Sequence, residues 1–533
     1  MSIYYKIGSI SIALACSMFK AYSFELEYPR SITRSSGLAQ QSYVEWHTLE
    51  KRVQNTVVQV WSQGTTFNWL EPYKAPEQHQ GAGTAFFINA EGYLLTNFHV
   101  IEGAKSVFIH VPILGQRLLD VTIVGVCPET DVALLKLSDE SSSLVKAALG
   151  EEIPYLQLGD SDILYPTEPV LALGYPLGQR YLKATDGRIA GREYSNGKSY
   201  MHITAPINPG NSGGPLLNNQ GLVIGINSAG IPQAQNVGYI VPINDVKIIL
   251  KDFETKQLVR KPDLGIYVNH ATDEHAHSLG NPVPGGVYIH YLQANSIAAQ
   301  AGVKAGDMWY GIESNGIAYV IDEYGDVKVG WRTSDKVTID ELLMRFPAGT
   351  PLKLIVYRKG QKLELDCLFN EPPVYPIRFI YPDYESEEID YEMFGGMCVM
   401  QLRVNHLVKD RRGNNLLPQT SLLRLFTRLD HQAKKALVIT RILPGSQTHK
   451  VGCFYAGALL DTVNGQKVTT LQELREALFR SVQTKEIAIT TKDTNATVLS
   501  LAKVLKEEPL LARDFMFPLT DTIKNIWQLT LSN

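Results

Sequence analysis

Short apolar runs bounded by turn residues recur in the first half of the chain. Residues 81–88 and 92–97 each fit a strand, with a turn between them, and residues 130–137 fit a further apolar strand. Between residues 242 and 259 the apolar spacing changes to that of a helix, at Ile243, Val246, Ile249, Leu250 and Phe253. The pattern therefore predicts a strand-rich domain that ends in a helix just before residues 260–262.

Two stretches in the second half of the chain repeat one order of elements. Residues 286–307 predict a strand, a helical turn of small residues and a Gly-Asp turn, and residues 351–357 predict another strand. The same order recurs over residues 436–465, followed by a helix at 471–479. The predicted organisation is an extension at 24–44, a first domain at 45–255, α+β domains at 260–370 and 391–505, a linker at 371–390, an insertion at 401–433 and a tail at 506–533.

The amino terminus has the features of a secretory signal. Lys6 precedes a short apolar stretch at 7–19, and residues 21–23 supply the small residues that a signal peptidase needs. This predicts a signal peptide at 1–23 and an exported protein, either periplasmic, in the cell envelope or secreted. Cys16 leaves a lipid-modified amino terminus open.

Composition narrows the classes of function. The chain has 533 residues, of which 44% are hydrophobic and 20% charged, and its net charge is -4. These values fit a globular protein of about three domains. The absence of a basic excess disfavours nucleic acid as a partner. The most acidic run, at 383–390, predicts a solvated linker.

Cysteine and histidine spacing predicts neither a metal site nor a cofactor. Four cysteines follow the signal without short paired spacing, and either a Cys398–Cys453 disulfide or isolated thiols would fit. A possible ligand cluster falls in a loop bounded by glycine and proline, which favours a solvated loop over a metal site. Its members are His270, Asp273, Glu274, His275 and His277.

A serine in a glycine-rich turn is the strongest chemical signal. Residues 210–215 read GNSGGP around Ser212, and His99 and Asp131 come earlier in the chain. A serine hydroxyl attacks well only when a base takes its proton and a third group orients that base. The order His, Asp, Ser is that of the two-barrel chymotrypsin-like fold. We therefore predict Ser212 as nucleophile, His99 as general base and Asp131 as its orienting group.

Two further predictions concern the surroundings of this serine. The neighbouring glycines allow a sharp turn in which the N–H groups of Gly210 and Ser212 point together at a developing oxyanion. His202, in an alternating strand, is an alternative base. The context of His99 fits the base role without it, so His202 is expected to be structural.

Several segments resemble the HtrA/Deg family of serine proteases, namely 81–100, 131–137, 174–178, 205–216, 221–227 and 238–242. The resemblance implies a mainly β chain, with a chymotrypsin-like double β-barrel protease domain followed by two α+β PDZ domains. It assigns the catalytic roles to His99, Asp131 and Ser212. Asn211 lacks the charge that pairs with a new amino terminus in digestive relatives, so ordering of loops 174–185, 191–200 and 227–238 is expected to control activity instead.

The resemblance also implies binding sites and partners. Peptide carboxylates are expected at Leu264, Gly265 and Ile266, after Asp263, and less strongly at residues 393–396. Asn227 and Ser228 are expected to line a substrate pocket for small aliphatic residues. The expected protein is a trimer-based homo-oligomer that cleaves unfolded or damaged proteins. A peptide-binding holdase with a weak triad, and a secreted protease with one folded target, remain open.

Overall fold

The computed structural model of the protein describes residues 46–531 except 151, 196, 229–237 and 410–412. The predicted signal peptide, the 24–44 extension and Cys16 lie outside the described residues. Within the described part, no helix is long and apolar enough to cross a bilayer.

The first barrel closes in the strand order β1-β2-β3-β6-β5-β4. Alternate side chains such as Val58 and Ala85 fill it, while Val57 and Phe86 face the second barrel. Its strands are β1 (Val57–Thr66), β2 (Glu77–Phe87), β3 (Tyr93–Thr96), β4 (Ala104–His110), β5 (Leu118–Cys127) and β6 (Val132–Leu137), with helices α1 (Trp46–Val53), α2 (Phe98–Ile101) and α3 (Asp139–Leu149) and a 3-10 turn at Pro112–Leu114.

The second barrel closes in the order β10-β11-β12-β9-β8-β7. Leu171 and Leu173 of β7 join Val57 and Phe86 in a buried layer between the barrels, and the predicted catalytic residues lie on segments that border this layer. Its strands are β7 (Pro169–Gly174), β8 (Lys183–Ser195), β9 (Lys198–Ile203), β10 (Pro215–Asn218), β11 (Val223–Asn227) and β12 (Gly238–Pro242), with helix α4 (Ile243–Ile249) and 3-10 turns at Pro176–Gly178 and Asp252–Glu254.

The helix predicted between residues 242 and 259 is shorter than expected. It ends at Ile249, and a 3-10 turn then places the Phe253 ring against Gly125, where an added Cβ would lie 2.5 Å from the ring. The chain continues beside β5, since the Val259 N–H donates to the Val126 carbonyl at 2.8 Å. Packing against the first barrel therefore stops the helix before its apolar pattern runs out.

The region predicted as the first PDZ domain forms one larger sheet and a hairpin. The sheet order is β13-β14-β15-β19-β20, with β16 on β15, and β13 lies at its edge. The elements are β13 (Ile266–Asn269), β14 (Val287–Leu292), β15 (Met308–Ser314), β16 (Ile317–Val320), β17 (Asp326–Val329), β18 (Arg332–Thr338), β19 (Thr350–Arg358), β20 (Gln361–Phe369), α5 (Asp273–Ser278), α6 (Ile297–Gln300) and α7 (Ile339–Leu343).

Helix α5 corrects the prediction of a loop around the histidine cluster. The Thr272 side chain caps it by accepting from the His275 N–H at 3.2 Å, and Ala276 is its buried residue. One short capped turn of helix was hidden in the sequence by its polar composition.

The second PDZ region contains two sheets and half of the α-helices of the described residues. The sheet orders are β21-β22-β23 and β25-β24-β26-β27. The elements are β21 (Tyr391–Phe394), β22 (Met397–Gln401), β23 (Leu437–Ile442), β24 (Leu460–Val463), β25 (Gln466–Lys467), β26 (Glu486–Thr491), β27 (Ala496–Ser500), α8 (Ser421–Leu425), α9 (Leu429–Gln432), α10 (Gln447–Val451), α11 (Leu471–Phe479), α12 (Ser481–Thr484), α13 (Leu501–Phe515), α14 (Asp521–Leu531) and a 3-10 turn at Val404–His406.

The predicted carboxy-terminal tail is part of this last domain. Ile523 and Ile526 of α14 join the core that holds Leu474 of α11. The tail therefore covers apolar surface of the second PDZ region.

The acidic run at 383–390 is not the solvated linker that its charge predicts. Glu385 contacts Arg260, and its other oxygen lies 2.8 Å from Arg378. Glu387 bridges Arg378 and Arg403. These arginines lie outside the acidic run, so a linear charge pattern could not reveal the ion pairs.

The four cysteines within the described residues are all free thiols. Cys398 lies in buried strand β22, and burial raises its thiol pKa to about 12. Of the two readings left open, isolated thiols agree with this geometry.

Candidate active site

Asp131 lies in the tight turn that joins β5 to β6. Its N–H donates to the Pro128 carbonyl at 3.2 Å, and its φ is 60°. Non-glycine residues seldom adopt this left-handed backbone, and aspartate is among those that tolerate it best. The turn directs the carboxylate toward helix α2.

His99 lies in α2 and binds the Asp131 carboxylate twice. Its Nδ1 is 2.9 Å from Oδ2, and its backbone N–H donates to Oδ1 at 3.0 Å. A proton on Nδ1 shared with the carboxylate leaves Nε2 able to accept a proton. Asn97 fixes the same turn, because its Nδ2 donates to the Asp131 carbonyl at 2.9 Å.

Ser228 is a further partner of Asp131, a role that the sequence did not reveal. Its Oγ donates to Oδ2 at 3.2 Å. The adjacent Asn227 is fully buried, and its Nδ2 donates to the Leu173 carbonyl at 3.0 Å. Both side chains are therefore buried and hydrogen-bonded among the described residues, and their predicted contact with substrate stays a prediction.

Ser212 lies in the turn formed by residues 208–214, hereafter the oxyanion turn. The turn is tied to β2, because the Ser212 carbonyl accepts from the Thr84 N–H at 2.9 Å. A Cβ built on Gly83 would lie 2.6 Å from Val100 and 3.1 Å from the Ser212 carbonyl. Val100, which follows His99, and Ser212 therefore both lie against β2 at Gly83.

Gly210 gives the oxyanion turn a backbone that other residues cannot adopt easily. Its φ is 99°, and an added Cβ would lie 2.4 Å from the Tyr175 carbonyl. Neither the Gly210 N–H nor the Ser212 N–H donates a hydrogen bond to any residue that the structure describes. Both groups are thus available as donors.

His202 has partners of its own in the second barrel. Its Nε2 lies 3.1 Å from Glu193, and its ring packs at 4.6 Å against Tyr239. These contacts agree with the expected structural role.

The loop before β13 has the shape expected for a carboxylate site but contains a carboxylate already. Gly265 has φ of 70°, and its N–H donates to Oδ1 of Asp263 at 2.9 Å. Burial raises the pKa of Asp263 above its usual value. Leu264 is buried, and Ile266 begins β13, whose one strand partner among the described residues is β14.

The weaker carboxylate candidate, residues 393–396, forms a closed hairpin instead. Strand β21 pairs with β22 from Tyr391↔Met400 to Phe394↔Met397, so β22 has β21 on one side and β23 on the other. Glu508 of α13 is buried close to the N–H groups of Gly395 and Gly396, although neither makes a regular hydrogen bond with it. Burial raises the pKa of Glu508 to about 8.

The pKa of His99 predicts how activity depends on pH. Burial lowers this pKa, but the hydrogen bond and charge of Asp131 raise it more, so it lies above 6.5. Since the imidazolium cannot take a proton from Ser212, kcat/KM should fall with decreasing pH through a midpoint above 6.5. A quenched fluorescent peptide assayed between about pH 5 and 9 measures this profile.

The same group affects stability in the opposite direction. Because its pKa is raised on folding, protonated His99 stabilises the fold below pH 6.5, and this contribution disappears as pH rises through the folded pKa.

A kcat/KM that stays constant through the acid range would contradict the assignment of His99 as the base.

Comparisons with known proteins agree with this architecture. A model of a trypsin-like peptidase domain matches residues 83–226, and a model of a PDZ domain matches residues 382–519. The serine protease HhoB of Synechocystis is 31% identical over 310 residues, which cover 55% of this chain and 67% of that protein. A DegP-like periplasmic serine endoprotease of Marinomonas is 32% identical over 314 residues, which cover 56% of this chain and 63% of that protein.

A solved HtrA-type protease, AlgW with a decapeptide, aligns at 25% identity with a TM-score of 0.47, covering 62% of this chain and 100% of its own. The aligned region spans about two thirds of the length of the two curated relatives. The predicted mainly β class, with a double-barrel protease domain, is confirmed. The chain belongs to the HtrA/Deg family of serine proteases.

Proposed function

We propose that the protein is an exported serine endopeptidase that cleaves unfolded or damaged proteins. The observation that carries this proposal is the doubly bound His99–Asp131 pair beside the turn that holds Ser212. Family membership supports the reaction class, and the relatives named as periplasmic endoproteases support export. By the same resemblance, we propose a homo-oligomer built from trimers of the protease domain.

The proposed mechanism begins with attack of Ser212 Oγ on the scissile carbonyl. His99 Nε2 takes the serine proton, and Asp131 stabilises the imidazolium that forms. The N–H groups of Gly210 and Ser212 donate to the oxyanion, which is worth about 3 kcal/mol per donor. His99 then protonates the leaving amine, and water hydrolyses the acyl-enzyme by the same steps in reverse.

Peptide carboxy termini are proposed to bind at the first PDZ region. An extended peptide can add to the edge of β13, and its carboxylate can accept from the N–H groups of Leu264, Gly265 and Ile266. Because Asp263 now accepts from Gly265, an arriving carboxylate has to displace it. The second PDZ region is a poorer candidate, because β21 covers the edge of β22.

The experiment compares unfolded and native forms of one substrate protein. The purified full chain should degrade the reduced, alkylated form and leave the native form intact. A peptide with a free apolar carboxy terminus should increase the rate, whereas the same peptide ending in an amide should not. Asp263→Asn should tighten binding of the free peptide about threefold, because like-charge repulsion is removed.

Other outcomes separate the competing functions. Cleavage of a native target, with the unfolded form spared, would point to a secreted protease of narrow specificity. If nothing is cleaved, and the wild type and Ser212→Ala suppress aggregation equally, the protein is a holdase. Equal stimulation by the free and amidated peptides would contradict carboxylate recognition at the 264–266 loop.

A further inference from the structure

Thr84 occupies the junction between the two barrels and the oxyanion turn. It lies in β2 and is fully buried. Its backbone N–H reaches the Ser212 carbonyl, and its own carbonyl accepts from the Thr96 hydroxyl at 2.8 Å. The backbone of Thr84 is thus held in place, and its hydroxyl points at the turn.

The hydroxyl of Thr84 makes two hydrogen bonds with defined direction. Oγ1 donates to the Gly210 carbonyl at 2.7 Å and accepts from the Tyr175 N–H at 3.0 Å. A hydroxyl has one proton to donate, and the Tyr175 N–H can only donate. The hydroxyl proton of Thr84 therefore lies in the hydrogen bond to the Gly210 carbonyl.

A second carbonyl of the turn is held by segment 175–178. The Pro209 carbonyl accepts from the Leu177 N–H at 2.7 Å. In a trans peptide the C=O and N–H bonds point in opposite directions. Fixing the Pro209 carbonyl therefore fixes the direction of the Gly210 N–H in the 209–210 peptide group. Fixing the Gly210 carbonyl holds the following peptide group, 210–211, so that the two groups cannot rotate together.

We infer that Thr84 is a positioning residue that holds the oxyanion turn in its catalytic orientation and couples it to segment 175–178. This inference rests on the proposed peptidase function. Tyr175 and Leu177, which supply the other hydrogen bonds, belong to the 174–185 loop expected to control activity. Leu177 has φ of 54° and is 73% exposed, so the segment that holds Pro209 has a strained residue at the surface.

Thr84→Val tests the inference, because it removes the hydroxyl and keeps the side-chain shape. It should lower kcat on a peptide substrate about 10²-fold, the order of the loss of one oxyanion donor, and leave KM within about threefold. Thr84→Ser retains the donor and should restore kcat to within about threefold of the wild type. Labelling of Ser212 by a fluorophosphonate should slow in parallel with kcat.

Thr56→Val provides the matched control. Thr56 is also buried, and its hydroxyl donates to the Val53 carbonyl at 2.7 Å, outside the oxyanion turn. The Thr56→Val variant should therefore retain the kcat of the wild type. Circular dichroism and denaturant unfolding compare the folding of all variants, and Thr84→Ala replaces the valine variant if the latter fails to fold.

The results that would overturn the inference are distinct from failure of the proposed function. A wild type that neither cleaves unfolded protein nor reacts with the fluorophosphonate disproves the peptidase. With an active wild type, unchanged kcat in a folded Thr84→Val or Thr84→Ala variant overturns the role of Thr84. An equal loss in Thr84→Ser also overturns it, because packing alone would then explain the effect.

Discussion

Ser212→Ala is expected to lower kcat/KM for cleavage of an unfolded protein by at least about 10⁴-fold. The variant keeps the His99–Asp131 pair and the oxyanion turn, but no nucleophile remains to form the acyl-enzyme. Ser212 is buried, and no hydrogen bond of its hydroxyl is seen among the described residues, so the substitution should hardly affect folding. Release of fluorescent fragments from labelled casein measures the loss.

Ser161→Ala is the matched control for this variant. Ser161 is fully buried in the same domain, and its Oγ accepts from the Asn244 N–H at 3.1 Å. It should retain activity close to that of the wild type. Casein cleavage by Ser212→Ala at a rate comparable to the wild type, after repeated purification, would exclude Ser212 as the nucleophile.

Asp131→Asn is expected to lower kcat about 10⁴-fold with little change in KM. Asparagine keeps the shape and can still accept from the His99 backbone N–H. Its amide nitrogen, however, can donate to Nδ1 and favour the imidazole tautomer that carries its proton on Nε2. That tautomer cannot accept the serine proton. Steady-state kinetics on a short fluorescent peptide separates kcat from KM.

Ser228→Ala distinguishes the charge of Asp131 from its positioning. It removes one donor to the carboxylate and leaves both hydrogen bonds from His99. We therefore expect kcat to fall about tenfold, the order of one modest hydrogen bond. If Asp131→Asn keeps more than a tenth of the wild-type kcat, tautomer control by Asp131 is wrong. A fall in kcat that is matched by a fall in the denaturation midpoint would indicate misfolding instead.

The parts that the sequence could predict are those set by local pattern. Strands β2, β3 and β6 follow from short apolar runs bounded by turn residues, and α11 coincides with its apolar spacing. The three predicted catalytic residues could be proposed because each lies in a short segment of recognisable type, in an order that one fold uses. Asp131 and His99 indeed contact each other in the structure.

The parts that could not be predicted depend on partners far away in sequence. Glu385 of the acidic linker contacts Arg260, 125 residues earlier in the chain, and the tail joins a core whose other members precede it. The sequence around Thr84 contains no motif that indicates a role in the active site. The role inferred for Thr84 depends on its hydrogen bond to Gly210, 126 residues later in the chain. The burial of Asn227 and Ser228 likewise could not be read from a linear motif, and their predicted contact with substrate stays a prediction.

The hairpin of β21 and β22 limits the proposed peptide binding to one strand edge in the described part of the chain. With the edge of β22 covered, β13 remains as the open strand edge among the two candidate peptide sites of the described chain. A receptor with two sites gains avidity from a bivalent ligand, because the second binding event is intramolecular. A univalent chain gains nothing from such a ligand. In the proposed trimer, two carboxy termini joined by a flexible linker would therefore have to bind two protomers, and the linker length giving the tightest binding would report the distance between their β13 edges.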